Sequence, residues 1–439
     1  MPVDTALDQS RAELARFAER HWRYNFAVAA IDAGWFSLAM SFASTATILP
    51  AFVERLGAPN VVIGAMPAIN TVGFALPTLF VAGYVERLPR KLPYILLVGL
   101  FERLSLLALA AVAFLLAPRS YGLALAGALL SFAAVSIFGG AITPAWMDMF
   151  GKVMPLRYRG RQMAASSALG AAMGMAGALI SGYYLRSYAF PTRYALCFVT
   201  GFGASMLSFL FLALMREPAA PSAGPHHALG AYLRRLPAVL RANHSFAWYL
   251  AAKCIGTLGS MGYGFYTVFA LRGLGAAEWQ VSRFTMMLLA GQTIASLFLG
   301  YVGDRVGHKR VLVAGMASVA IANLIALGAR RPEHVYAAFL VVSISLAAGI
   351  VSDLNLAVEF APEGERPTYI ALAMAPIAPV AIAAPLLGGL LADLVSYRAV
   401  FALAAVAGTL AALTLATRVR DPRYAHRRDA ENAEPHLSF

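Results

Sequence analysis

The chain has 439 residues, of which 60% are hydrophobic and only 13% are charged, and its mean hydropathy is +0.67. Because a soluble domain carries roughly 25% charged residues, this composition excludes an ordinary soluble protein and indicates that lipid surrounds most of the chain. The net charge is +13, which alone would be compatible with a nucleic-acid partner.

The distribution of the basic residues favours a different explanation. Most Lys and Arg residues fall in the segments on one side of the predicted spans, as the positive-inside rule describes. This bias predicts an inner-membrane protein with both termini in the cytoplasm, in contact with lipid headgroups and not with nucleic acid. Cys197 and Cys254 lie in apolar runs, so we expect no disulfide, no metal and no cofactor.

The N-terminal segment is polar and charged up to Arg23, so we do not expect it to be a cleavable signal peptide. Residues 5–23 place Leu7, Leu14 and Phe17 on one side of a helix. This pattern predicts a short amphipathic helix that lies under the membrane.

Twelve apolar runs follow, each of a length that can span a bilayer as a helix. We predict an all-α membrane protein with twelve transmembrane helices in two pseudo-symmetric six-helix bundles. The predicted spans are 24–50, 59–83, 92–117, 120–147, 162–186, 192–215, 245–271, 279–301, 310–329, 334–358, 367–392 and 397–417. The predicted domains are a cytoplasmic segment (1–23), an N-terminal bundle (24–215), a central cytoplasmic loop (216–244), a C-terminal bundle (245–417) and a cytoplasmic tail (418–439).

A tight turn is predicted between spans 8 and 9, where residues 300–310 read GYVGDRVGHKR. Gly307 permits the chain reversal, and Asp304 can cap a helix or pair with an arginine. Lys309 and Arg310 hold the next helix at the headgroups.

A weaker copy of this turn, AGYVERLPRK, lies between spans 2 and 3 at residues 82–91. The repetition indicates a duplicated half, as in many transporters. The residues assigned to this conformational motif are Gly300, Asp304, Arg305, Gly307, Lys309 and Arg310 in one copy and Glu86, Arg87, Arg90 and Lys91 in the other.

Both copies resemble the signature loop of the major facilitator superfamily, which lies between spans 2 and 3 and again between spans 8 and 9. The chain is also similar to prokaryotic members with the same loop after span 4, PLRYRGR at residues 155–161. The resemblance implies alternating access between two rocking bundles, with the loops stabilising one access state. The superfamily's antiporter pattern in span 5 is absent as such, since Met175 follows Gly174.

Ionisable residues inside the spans are the candidates for proton coupling or substrate binding: Asp32, Glu102, Arg103, Lys253 and Asp353. Each costs roughly 2.5–3.5 kcal/mol at the bilayer centre. Asp32 is either a proton carrier or a permanent partner of Lys253 or Arg103. Lys253 either binds an anionic substrate group or forms a fixed pair. Glu102 and Arg103 point about 100° apart on a helix, so each is expected to need its own partner.

Further residues are candidates for the cavity lining and for an inner gate. Trp35, Phe36, Asn70, Tyr263 and Tyr266 lie in spans and can line a cavity for an organic solute, or else pack against helices or lipid. The candidates for the inner gate are Asp148, Arg159 and Arg161.

No phosphate loop and no nucleophile-base arrangement is visible, so the sequence does not predict an enzyme. We expect a monomeric proton-coupled transporter of a small organic solute, with export favoured. Two alternatives remain: an uptake permease for an anionic nutrient or metallophore, and a non-transporting sensor or assembly protein on the same fold.

Overall fold

The computed structural model describes residues 2–219, 239–241, 243–362, 366–374 and 376–422. The predicted central loop and the C-terminal tail lie largely outside these residues. The helices of the first half are α1 (Pro2–Phe42), α2 (Ile48–Arg55), α3 (Asn60–Arg87), α4 (Leu92–Ala111, continued by a π-helical turn over Val112–Leu116), α5 (Tyr121–Val153), α6 (Leu156–Ser187) and α7 (Thr192–Ala213).

The second half repeats this arrangement with more interruptions. Its helices are α8 (His244–Gly259, followed by a 3₁₀ turn over Ser260–Phe265), α9 (Tyr266–Leu274), α10 (Trp279–Val306), α11 (His308–Leu327), α12 (Pro332–Ala348, followed by a π-helical turn over Gly349–Asp353), α13 (Leu354–Glu359), α14 (Arg366–Met374), α15 (Ile377–Leu394) and α16 (Tyr397–Arg418).

Twelve helical segments of the described chain are long and apolar enough to cross a membrane, and these described residues contain no β-strand. Large apolar side chains lie on the outer surface: Phe80, Leu297 and Leu394 are 81%, 74% and 82% exposed. Such surfaces are stable against lipid and unfavourable in water. The predicted fold class is confirmed, and the protein is a multi-pass membrane protein.

The N-terminal segment differs from the prediction. Residues 5–23 are the first part of the single 41-residue helix α1 and do not form a separate helix. The physical reason is the absence of glycine and proline between Pro2 and Gly34, so nothing in the sequence ends the helix before span 1.

The chain forms two compact units. The first contains residues 1–58, 66–226 and 277–286. In this unit α1 packs against α6 and α7, and α4 packs against α5 and α7. Close approach of α1 and α6 depends on glycine, since a Cβ at Gly170 would lie 2.6 Å from the Ser37 hydroxyl and one at Gly177 would overlap Ser41.

The second unit contains residues 59–65, 227–276 and 287–439. Here α11 packs against α12 and α16, and α8 packs against α16. These pairings repeat, six spans later, the pairings of α4 with α5 and α7 and of α1 with α7. The described residues thus carry the internal duplication in their packing as well as in their loop motif.

A short acidic sequence ends each half: Arg216-Glu217-Pro218 after α7 and Arg420-Asp421-Pro422 after α16. The Glu217 side chain is 1% exposed, and its carboxylate accepts hydrogen bonds at 2.7–2.8 Å from the backbone N–H groups of Lys91 and Leu92 at the start of α4. The Asp421 carboxylate lies beside Gly307 in the corresponding turn. Each half therefore closes with an acid next to its own motif loop.

Glu217 caps a helix that would otherwise expose its first N–H groups inside the protein. We expect Glu217→Ala to lower the free energy of unfolding by about 1–3 kcal/mol, and Glu217→Gln to lower it less because the amide oxygen still accepts. The measurement is the unfolding of purified protein in detergent, with Glu333→Gln as the control at an exposed carboxylate. A loss in the control as large as in Glu217→Ala would contradict the assignment of the cap.

Candidate functional site

Asp32 lies on α1, about eight residues into the predicted first span. Its Oδ1 accepts a hydrogen bond of 2.6 Å from the Ser208 hydroxyl on α7. The Arg103 guanidinium on α4 is close enough to attract the carboxylate electrostatically. Because α7 packs against both α1 and α4, the three side chains meet in the interior of the first unit.

The Arg103 guanidinium donates hydrogen bonds to several groups of the first unit. Its Nε donates to the Ser205 carbonyl at 3.1 Å, and its Nη1 donates to the Gly99 carbonyl at 2.9 Å. Nη1 also forms a 3.2 Å ion pair with Glu102 Oε2, and Nη2 donates to the Ser208 hydroxyl at 3.4 Å. The structure therefore pairs Glu102 with Arg103, although neighbouring positions diverge on a helix, since the long arginine side chain curls back toward the preceding turn.

These polar groups open into a cavity of about 290 Å³ within the first unit. Its wall is largely apolar and aromatic, which is typical of sites for organic ligands. The lining residues are Asp32, Ala33, Phe36, Phe74, Glu102, Arg103, Gly139, Ile142, Thr143, Trp146, Ser208 and Leu212.

The residues predicted to line a cavity lie in different parts of the structure. Phe36 lines this cavity, and Trp35 does not. Asn70 accepts a hydrogen bond of 3.1 Å from the Ser136 hydroxyl on α5, so it joins two helices. Tyr263 and Tyr266 belong to the second unit, where both rings pack edge-on against Phe339, and Tyr266 is fully buried.

Sequence reasoning did not find several lining residues. Phe74, Trp146 and Ser208 are ordinary span residues in the sequence, and no charge or motif distinguishes them. Thr143 lies next to a proline inside α5, Pro144, which was the one available signal, because prolines within spans accompany irregular backbone near cavities.

Lys253 and Asp353 form an ion pair of 2.7 Å in the second unit. The hydroxyl of Tyr249 donates to Asp353 Oδ1 at 2.7 Å, and the Lys253 ammonium also donates to the Ala373 carbonyl at 3.3 Å. Asp353 ends the π-helical turn after α12, a backbone irregularity that is frequent at functional sites. Both candidates from the second half therefore share one cluster.

The first motif loop is organised around Lys91. Its ammonium donates to the carbonyls of Val85, Glu86 and Leu88 at the end of α3, and it lies 3.3 Å from the Asp148 carboxylate. A cation at a helix C-terminus is stabilised by the helix dipole.

Several charges act on the Lys91 ammonium. Burial lowers its pKa, and the positive charge of Lys152 lowers it further. The carboxylates of Asp148 and Glu217 oppose this lowering of the pKa. The contacts of Lys91 join the end of α3, the start of α4 and Asp148 on α5.

In the second motif loop, Gly307 has φ = 104°, so the predicted reversal does depend on glycine. Lys309 donates to the Ala416 carbonyl at 2.9 Å, and Arg305 lies over the Tyr301 ring at 4.3 Å. The remaining motif residues are at or near the surface: Glu86, Arg87, Arg90, Gly300, Asp304 and Arg310.

Of the inner-gate candidates, Asp148 contacts the first motif loop. Asp148 pairs with Lys91 and, at 3.1 Å, with Lys152. Arg159 donates to the carbonyls of Met154 and Gly151. The Arg161 guanidinium lies 6.0 Å from the centre of the Tyr158 ring.

Another charged cluster, which the sequence did not predict, lies in the first unit. Glu278 pairs with Arg55 at 2.6 Å and with Arg193 at 3.2 Å, although its side chain is only 6% exposed. The hydrogen bond from Arg55 to Glu278 raises the pKa of Arg55. No sequence spacing connects residues so far apart along the chain.

Comparisons with known proteins agree with this architecture. The model of the Major Facilitator Superfamily matches residues 272–438, so the resemblance predicted from the loop motif is confirmed. A comparison of the sequence with curated proteins found no match.

Solved structures with the same fold include three transporters. A mutant of the nucleoside transporter NupG is 11% identical with a TM-score of 0.70, covering 90% of this chain and 100% of that one. The D-xylose-proton symporter is 15% identical with a TM-score of 0.68, covering 91% and 98%. A bacterial homologue of the human lysosomal transporter Spinster, inward-facing and unoccupied, is 12% identical with a TM-score of 0.61, covering 91% and 98%.

Proposed function

We propose that this chain, whose residues 272–438 match the model of the Major Facilitator Superfamily and whose fold is that of solved transporters, is a proton-coupled secondary transporter of a small organic solute. It works by alternating access across the inner membrane, and export is the favoured direction. The charge bias of the loops supports a cytoplasmic position for both termini.

The observation that carries the proposal is the group of Asp32, Glu102 and Arg103 at one cavity inside a membrane-spanning unit. An ionisable side chain in a span is costly and is retained where it lines a pathway or a water-filled cavity. Two carboxyls beside one guanidinium can bind and release a proton while the arginine stays charged. A cavity with this chemistry suits proton-coupled movement of an organic solute.

The proton-transferring residue is proposed to be Asp32. Its carboxylate accepts from a neutral hydroxyl donor, Ser208, whereas Glu102 forms a direct ion pair with Arg103. An ion pair of this kind favours the charged carboxylate, so Asp32 is the group better placed to exchange a proton with the cavity. Among known proteins with this fold, one is a proton symporter for D-xylose, which supports proton coupling for this fold in general.

The test uses purified protein in liposomes that contain a pH-sensitive dye. A panel of cationic, neutral and anionic organic solutes is added to wild type, Asp32→Asn and the control Glu333→Gln. We expect at least one solute to drive proton movement in wild type and in the control. Asp32→Asn is expected to lose this movement, because an amide cannot bind and release the proton.

Equal proton movement in wild type and Asp32→Asn would refute the role of Asp32. No proton movement with any solute, in protein that remains folded, would refute proton-coupled transport of the tested classes. The orientation of the protein in the liposomes, determined by protease access to the termini, then gives the direction of transport.

A further inference from the structure

The Arg103 guanidinium, which lines the cavity, already donates its hydrogen bonds to other groups of the protein. Arg103 donates to two backbone carbonyls, those of Ser205 and Gly99, as well as to Glu102 and Ser208. Its side chain is 4% exposed. An anionic ligand would have to compete with four existing hydrogen bonds, so this arginine is poorly available to an anion.

The carboxylates of the same cavity retain free acceptor capacity. Asp32 Oδ1 accepts from Ser208 and Glu102 Oε2 accepts from Arg103. Within the part of the chain that the structure describes, neither Asp32 Oδ2 nor Glu102 Oε1 receives a hydrogen bond from the protein. Both residues line the cavity, so each offers one free oxygen to whatever occupies it.

The remaining wall complements a cation. With both acids ionised, two negative charges face one positive charge, and the cluster carries a net charge of −1. The rings of Phe36, Phe74 and Trp146 line the same space. Aromatic faces attract ammonium groups and also cover apolar bodies.

We propose that the solute of this cavity is an organic cation with an apolar or aromatic body, whose positive group is held by Asp32 and Glu102. The inference rests on the proposed transport function and names its substrate class. A proton and an organic cation would then compete for the same carboxylate oxygens. Because binding of the proton and binding of the organic cation exclude each other, the site would exchange one species for the other. This exchange is consistent with export of the cation.

Binding is tested on the purified full-length protein in detergent by equilibrium dialysis, without any gradient. The probes share a phenyl group and differ in charge: benzylammonium, phenylacetamide and phenylacetate. We expect the cation to bind at least about tenfold more tightly than either other probe, because its N–H groups can donate to the carboxylate oxygens and its charge pairs with theirs. Its affinity should fall as the pH is lowered, while that of the amide stays constant.

Two substitutions test whether the cation binds at the carboxylates of Asp32 and Glu102. Asp32→Asn and Glu102→Gln are each expected to weaken cation binding about tenfold and to leave amide binding unchanged, whereas Glu333→Gln changes neither. The pH series on wild type provides the same test without any substitution, in case a variant does not fold.

Tighter binding of phenylacetate, equal binding of all three probes, or no binding of the cation overturns the proposal. These results concern binding alone. Proton-coupled transport of another solute class can therefore survive them, and a failure of transport in liposomes leaves a positive cation-binding result in place.

Discussion

Replacing Arg103 with methionine is expected to lower the free energy of unfolding by about 3–5 kcal/mol, because it leaves a buried charge without its partner. Glu102 is 6% exposed and would lose its ion pair with the guanidinium. Asp32 would lose the nearby positive charge, and the carbonyls of Gly99 and Ser205 would lose their donor. The measurement is unfolding in mixed detergent micelles, with Arg330→Met as the control at an exposed arginine.

A second substitution identifies the cause of this loss. If the loss comes from an unpaired charge, the double variant Arg103→Met/Glu102→Gln should recover a substantial part of the stability, since it removes the orphaned carboxylate. Arg103→Lys should fall between wild type and Arg103→Met, because an ammonium restores the charge but not the forked geometry. A double variant no more stable than Arg103→Met would instead assign the loss to packing of the arginine side chain.

The spanning helices and the duplication could be predicted because they depend on local features. Long apolar runs, basic flanking segments and a turn glycine are each readable without knowing which helices touch. Gly307 illustrates this: its positive φ is required by a turn that the sequence itself marks. The amphipathic pattern before Arg23 is a poor guide to a helix boundary, because α1 continues wherever no helix-breaking residue interrupts it.

The site could be predicted only in part. Asp32, Glu102 and Arg103 are conspicuous, because charges are rare inside spans. Ser208 and Trp146, which line the same cavity, are not conspicuous, because the helical rotation that brings them there follows from the packing of α7 and α5 against α4. The same limitation applies to Glu278, whose partners lie far from it along the chain.

Lys253 is the other residue whose replacement should have a large effect. Lys253→Met removes the 2.7 Å ion pair and leaves Asp353 with the Tyr249 hydroxyl as its remaining polar partner among the described side chains. The expected loss is about 3–5 kcal/mol of unfolding free energy. Asp353→Asn should cost a similar amount, because it leaves the ammonium of Lys253, whose side chain is 10% exposed, without this counter-charge.

The double variant Lys253→Met/Asp353→Asn tests whether the ion pair serves stability alone or also proton movement. Since the two groups engage each other, and the Lys253 ammonium also donates to a backbone carbonyl, we expect the double variant to recover most of the stability that either single variant loses and to move protons in liposomes as wild type does. A double variant that is stable but moves no protons would show that Lys253 and Asp353 take part in proton coupling. The second unit would then contain a proton-binding site of its own. A double variant whose loss equals the sum of the two single losses would show that each residue acts independently, in contradiction to the ion pair as the stabilising contact.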